Sequence, residues 1–306
     1  MKKLTWIVPV ALVLALLISI FLLPSQPIVY RKITLHAAQD GVAKLLTQKA
    51  KWQQWWPALN LDIHYDSGNF SYQQQLLKAA VLQVPVGRTF VNAQLQTILY
   101  GSDSCGVIFQ TVFPATSNPL KKISHYLESK QLDGKAETIL NHLKTFAEKE
   151  ENIYGFTVRQ EKVKDSSFVA TRFESFGYPQ PEQLYRAIDD LRRYITSQNA
   201  KEIGLPIMNA QPAGKGQYQV MVALPVNSAL KGAGKIQPKR MILGRILVTE
   251  IKGGPHTLQK AMQDFEQYLI DHRRTSPAIP FESLITNRLQ EQDTSKWITR
   301  LYFPVM

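Results

Sequence analysis

Alternation of apolar and polar residues with a period of two, or of about 3.6, divides the chain from residue 28 onward into strands and helices. Residues 28–35 alternate as a strand does, and residues 40–52 have the spacing of an amphipathic helix. Residues 61–116 read as successive strands, broken at Asp66-Ser-Gly68-Asn69, at Pro85-Val-Gly87 and at Gly101-Ser-Asp-Ser104. A long helix is predicted over 134–149, with Asp133 as its N-cap. The pattern then changes character. Strands over 156–164 and 167–176 lead through Gly177-Tyr178-Pro179 into a helix over 181–196, and strands over 203–208 and 217–224 follow. The same order returns as strand 241–251, turn Gly253-Gly254-Pro255, helix 257–272, and strands 279–286 and 296–303.

This recurrence is an internal repeat. Leu184, Ala187, Asp190, Tyr194, Ile195 and Pro206 reappear as Leu258, Ala261, Asp264, Tyr268, Leu269 and Pro280, at a constant offset of 74 (258 − 184). Each copy closes on a strand ending in a proline, Ala-Leu-Pro225-Val226 and Tyr-Phe-Pro304-Val305. Two copies are too few for a solenoid, so the repeat predicts a pseudo-symmetric pair closing on itself. Strand, helix, strand, strand, twice over, gives an α+β domain with two helices on one side of an antiparallel sheet. One position breaks the symmetry: Glu282 stands in the apolar run 279–284 where the first copy has Met208.

Composition adds size and partners. With 306 residues and 44% hydrophobic content the chain is long enough for two compact domains. The net charge of +12 favours an anionic membrane surface or solubility over nucleic acid, because the basic residues come in scattered pairs and no helix-turn-helix or zinc finger accompanies them. The single cysteine, Cys105, excludes an intrachain disulfide and a multi-thiolate metal site, and no cofactor is expected. Residues 4–23 carry no charge and reach roughly 30 Å as a helix, enough to span a bilayer. Lys2 and Lys3 precede them, Trp6 sits at the interface position and Pro24-Ser-Gln-Pro27 ends them; no small-x-small site marks a cleaved signal peptide. The expectation is a transmembrane anchor over 1–27, soluble domains over 28–151 and 154–306, and a single-pass cell-membrane protein with its soluble bulk on the exported, periplasmic side.

The order of strand, helices, meandering strands and long helix over 28–151, with the Trp52-x-x-Trp55-Trp56-Pro57 cluster, resembles the SRPBCC (START-like, polyketide cyclase-like) helix-grip family. That resemblance implies an apolar cavity between a curved sheet and the last helix. Core packing is the competing reading of the three tryptophans. In the second domain Lys252-Gly-Gly-Pro-His256-x-Leu258, the Phe281-Glu282 strand and the closing Trp297-x-Thr299-x-x-Tyr302-x-Pro304-Val305 resemble the GyrI-like effector-binding family. The resemblance implies a small hydrophobic or cationic ligand in a cleft between the two halves, met by Glu282 and walled by Trp297 and Tyr302, with Phe281 and Tyr218 alongside. Leu284 departs from the tyrosine that commonly follows the family's glutamate by two residues.

A carboxylate in an apolar strand is costly to bury unless it is paired. Glu282 therefore either awaits a ligand or pairs with a local base such as Arg288 or Arg300, while Tyr178, Tyr185, Tyr218 and Met221 fit ordinary core positions. The function expected is a membrane-anchored small-molecule binder acting in sensing, sequestration or carriage. An alternative is a small hydrolase with Glu282 as general base assisted by Tyr302, since relatives include hydrolases; no other catalytic motif is present. A transcription-regulator-like effector module is the third reading, disfavoured by the lack of DNA-binding helices.

Overall fold

The computed structural model describes residues 18–56, 71–86, 89–163, 167–241 and 243–306. They form two compact units, Met1–Lys149 and Glu150–Met306. The fold class is α+β with two antiparallel sheets. The expected N-terminal transmembrane helix is corrected: among the described residues no helix is long and apolar enough to cross a membrane. Of that apolar run only 18–22 are described as helical, and 4–17 lie outside the described residues.

In the first unit β1 (Ile28–Leu35), β2 (Ser71–Gln75), β3 (Ala79–Val86), β4 (Thr89–Gly101) and β5 (Ser104–Val112) form a sheet in the order β1-β5-β4-β3-β2. Helices α1 (Gln39–Thr47) and α2 (Lys49–Trp55) fall where one helix was expected, separated at Gln48, whose backbone is extended. The tryptophans are core. Trp52, Trp55 and Trp56 are buried, the first two with ring centroids 4.8 Å apart. The indole N–H of Trp52 donates to the carbonyl of Leu46 at 2.8 Å and that of Trp55 to Leu45 at 3.1 Å, so burial leaves neither donor unmet. The rest of that segment, including Pro57 and the expected turn at 66–69, lies outside the described residues.

The long helix α3 spans Pro119–Ala147, starting well before residue 134. Asn118, not Asp133, is its N-cap, accepting from the amides of Leu120 and Lys121, and Pro119 fits the first turn, where its missing N–H has no partner to lose. Asp133 lies inside the helix instead. It takes a two-pronged bond from Arg31 of β1, at 2.6 and 2.7 Å, and the guanidinium holds its carboxyl below the usual carboxylate range. Cys105 is fully buried, which pushes its thiol up to about 12 and keeps it protonated.

The second unit opens with the short α4 (Glu150–Tyr154) and β6 (Arg159–Lys162). The first repeat supplies β7 (Ser167–Phe176), α5 (Pro181–Ser197), β8 (Ile207–Gly214) and β9 (Gln217–Val226). An edge strand β10 (Gln237–Arg240) intervenes, and the second repeat supplies β11 (Arg245–Lys252), α6 (Pro255–Asp271), β12 (Phe281–Leu284) and β13 (Ile298–Val305). The sheet order is β10-β7-β9-β8-β12-β13-β11-β6, so the repeats join where β8 pairs with β12. The residues that meet there are the repeat equivalents themselves: Met208 lies opposite Glu282. The pseudo-twofold therefore passes through the asymmetric position.

Both helices cover one face. Leu184, Ile188, Leu191 and Ile195 of α5 pack with Val169, Val222, Met208 and Leu284. Leu258, Phe265 and Leu269 of α6 pack with Leu247, Leu301 and Phe303. Glu282 is paired with Leu301 and shares a strand face with Leu284, so these clusters lie on the same side of the sheet. The loop into α6 depends on Gly253, whose φ of 143° is unfavourable for other residues and whose added Cβ would sit 2.8 Å from the side chain of Thr257. Gly253→Ala is accordingly expected to lower unfolding free energy by at least about 1 kcal/mol in urea titration. An unchanged midpoint would contradict this account of the turn.

Candidate functional site

A strand alternates its side chains between two faces, and β12 sends Glu282 and Phe281 to opposite sides. On the helix side Glu282 is 5% exposed. Its Oε2 accepts a 2.7 Å hydrogen bond from the hydroxyl of Tyr178, which lies in the turn before α5. The Arg288 guanidinium approaches the same oxygen at 3.5 Å, both side chains being almost wholly removed from solvent. Arg288 comes from the loop between β12 and β13, six residues past its partner. Its Nη2 donates to Thr299 Oγ1 at 2.9 Å and its Nη1 to the Tyr178 hydroxyl at 3.3 Å.

Aromatic rings flank that cation. The guanidinium carbon lies 4.8 Å from the Trp297 ring centroid and 5.9 Å from that of Tyr178. The loop is fixed at several points: Tyr185 Oη accepts from the Arg288 amide at 3.0 Å, and the Trp297 indole donates to the carbonyl of Glu291 at 2.8 Å. Tyr218 stands further out, edge-on to Tyr178 at 6.4 Å, with its hydroxyl accepting from Gln259 of α6.

The electrostatics follow from burial. Loss of hydration pushes the Glu282 carboxyl above its ordinary value, while Arg288 and the Tyr178 hydroxyl pull the other way. Tyr178 is held well above its ordinary value, first by burial and then by the neighbouring carboxylate, so it remains a donor. Of the two bases the sequence offered, Arg288 is the partner. Arg300 instead bonds Glu250, its cross-strand neighbour on β11, at 3.0 Å.

The other predicted residues divide. Trp297 and Tyr218 belong with Glu282, whereas Phe281 and Tyr302 lie on the helix-free face, stacked at 4.8 Å. Glu282 and Tyr302 thus do not meet, so the general-base pair expected of a hydrolase is not assembled; the hydroxyl at Glu282 is that of Tyr178. Tyr178 reads from sequence as core, and only the repeat's turn position ahead of α5 distinguishes it. Among the described residues no cluster of His, Cys, Asp and Glu could hold a metal ion. Two adjoining cavities, of about 430 and 180 Å³, open on the helix-free face and share Phe168, Ile207, Met241 and Phe281 as walls.

No family model matches the chain, and none of the curated proteins does. Among solved structures it is similar to EcmrR in a complex with DNA, at 19% identity and a TM-score of 0.44, covering 62% of this chain and 72% of that one. The isolated EcmrR C-terminal domain matches at 18% identity and 0.41, over 49% of this chain and 98% of that one. A hydrolase from Listeria innocua matches at 12% and 0.38, over 49% and 92%. A protein solved with bound tetraphenylphosphonium matches at 15% and 0.33, over 49% and 94%.

The raised carboxyl of Glu282 fixes the sign of a pH effect. The folded chain holds this proton to higher pH than the unfolded chain. Its contribution to stability is therefore fully present below the ordinary carboxyl value, 4.5, and is lost as pH rises through the folded value. The unfolding free energy of the parent, measured against Glu282→Gln, is expected to fall as pH rises from about 4. A parent that instead gains on the variant over that range would contradict the assignment.

Proposed function

We propose that the second unit is a small-molecule-binding module, and that the Glu282 cluster is where it takes an organic cation. One observation carries this reading: the cluster already holds a planar cation, the Arg288 guanidinium, against a buried carboxylate and the rings of Trp297 and Tyr178. A carboxylate so desolvated attracts positive charge more strongly than it would in water, and aromatic faces reinforce the attraction. The resemblance of the Glu282 strand and the closing Trp297-x-Thr299-x-x-Tyr302 segment to the GyrI-like family supports the same chemistry, and a similar structure holds tetraphenylphosphonium.

In this reading Arg288 occupies the cation position when no ligand is bound, and the β12–β13 loop carries it aside when one enters. Sensing or carriage follows from that exchange, because the loop position reports occupancy. The first unit's helix-grip resemblance fits a role in handling apolar molecules.

The test is thermal unfolding of the full-length chain with tetraphenylphosphonium. The compound is expected to raise the melting temperature of the parent and to have no effect on Glu282→Gln. Arg288→Ala should melt lower without the cation and gain more from it than the parent does. Equal shifts in the parent and Glu282→Gln, or none in either, would refute the proposal.

A further inference from the structure

Glu282 is not the only core position where the second repeat is polar and the first is not. The closing strands, aligned on Pro225 and Pro304 at an offset of 79 (304 − 225), set Thr299 of β13 against Val220 of β9. The strand register agrees: Val220 pairs with Ala210, and Thr299 pairs with Leu284, the repeat equivalent of Ala210. Val220 and Thr299 are both buried, so one copy carries a methyl where the other carries a hydroxyl. Both exchanges, Met208 for Glu282 and Val220 for Thr299, converge on a single group, the Arg288 guanidinium.

What Arg288 meets there defines what the cluster accepts. Its Nη2 donates to Thr299 Oγ1 at 2.9 Å and lies 3.5 Å from Glu282 Oε2, while its Nη1 donates to the Tyr178 hydroxyl at 3.3 Å. That hydroxyl already gives its proton to Glu282, so toward a cation it can only accept. Three oxygens, from the turn before α5, from β12 and from β13, are thus met by two nitrogens of one plane, whose carbon lies 4.8 Å from the Trp297 ring centroid. A guanidinium stacks on an aromatic face and offers its donors in a fixed fork; an ammonium is a strongly hydrated point charge. A quaternary cation has charge but no N–H. It would answer Glu282 and leave the hydroxyls of Thr299 and Tyr178 without a donor. Thr299 is only 1% exposed, so solvent offers little replacement, and a site built for an N–H discriminates against a guest without one.

From this geometry we infer the class of ligand: a free, planar amidinium or guanidinium cation with donors on two nitrogens, selected over ammonium and quaternary cations by Thr299 and Tyr178. The inference rests on the reading of the Glu282 cluster as a cation site, and it adds the hydrogen-bond requirement which that reading does not contain. Charge and rings alone admit any organic cation of suitable size. The two hydroxyls favour one kind.

The experiment is titration calorimetry of the full-length chain with benzamidinium and with benzyltrimethylammonium, which share one ring and one charge and differ in N–H donors. Benzamidinium is expected to bind about tenfold or more tighter. The ratio is the informative quantity, because displacing Arg288 burdens both cations alike. In Thr299→Val, which keeps the shape and removes the acceptor, the ratio should fall toward parity. In Arg288→Ala both cations should bind tighter with the ratio kept, and Glu282→Gln should lose both. N-acetylarginine amide, whose flexible stem must be ordered, is expected to bind more weakly than benzamidinium; tighter binding would give the site to an arginine of a peptide and overturn the free ligand. Equal affinity of the two cations in the parent and in Arg288→Ala, or an unchanged ratio in Thr299→Val, would overturn the inference and leave the cation site standing. Failure of both cations to bind, in the parent and in Arg288→Ala alike, would overturn the two together.

Discussion

The second unit is organised by the cost of placing one carboxylate beneath two helices. An ionised carboxyl in a desolvated site loses hydration that a single contact does not restore, so the chain surrounds Glu282 with a phenol, a guanidinium and the hydroxyl that orients the guanidinium. The β12–β13 loop is shaped by that requirement. It carries Arg288 inward, and Tyr185 and the Trp297 indole hold it by backbone contacts. Removing Arg288 leaves the carboxyl buried without its cation, a penalty of about 3–5 kcal/mol.

Symmetry places this cluster. Met208 and Glu282 are equivalent in the two repeats and face each other at the strand junction, so one substitution puts charge on the axis of an otherwise apolar seam. Strand alternation then separates two chemistries by one residue. Glu282 joins the closed, charged side under the helices, and Phe281 joins the open, apolar side with Tyr302. A sheet covered on one face only can present two unlike surfaces from one strand.

Much of this was legible in the chain because repetition and periodicity are local signals. The offset of 74 marks the buried helix positions of each repeat, Leu184 and its equivalent Leu258, Ala187 and its equivalent Ala261, which sit in two separate core clusters. Glu282 stood out as the break in the pattern. What sequence could not assign was sidedness: the family resemblance puts Tyr302 and Trp297 in one wall, but Trp297 precedes β13 and packs on Arg288. Asp133 had the chemistry of a cap, yet helix α3 begins at Pro119, where Asn118 and the proline make a better start, and tertiary pairing with Arg31 explains the aspartate. The apolar N-terminal run had the length of a membrane span, but among the described residues no such helix occurs.

The coupling between Glu282 and Arg288 is the quantity that tests the account most directly. A double-mutant cycle with Glu282→Gln, Arg288→Met and the pair, read by urea unfolding, isolates it from the loss of each side chain. The structure predicts that each single variant is clearly destabilised while the double variant recovers a large part of the loss, a coupling on the order of 2 kcal/mol. Additive losses, with no recovery in the double variant, would mean that the two groups do not sustain one another and that the cluster is not the site described.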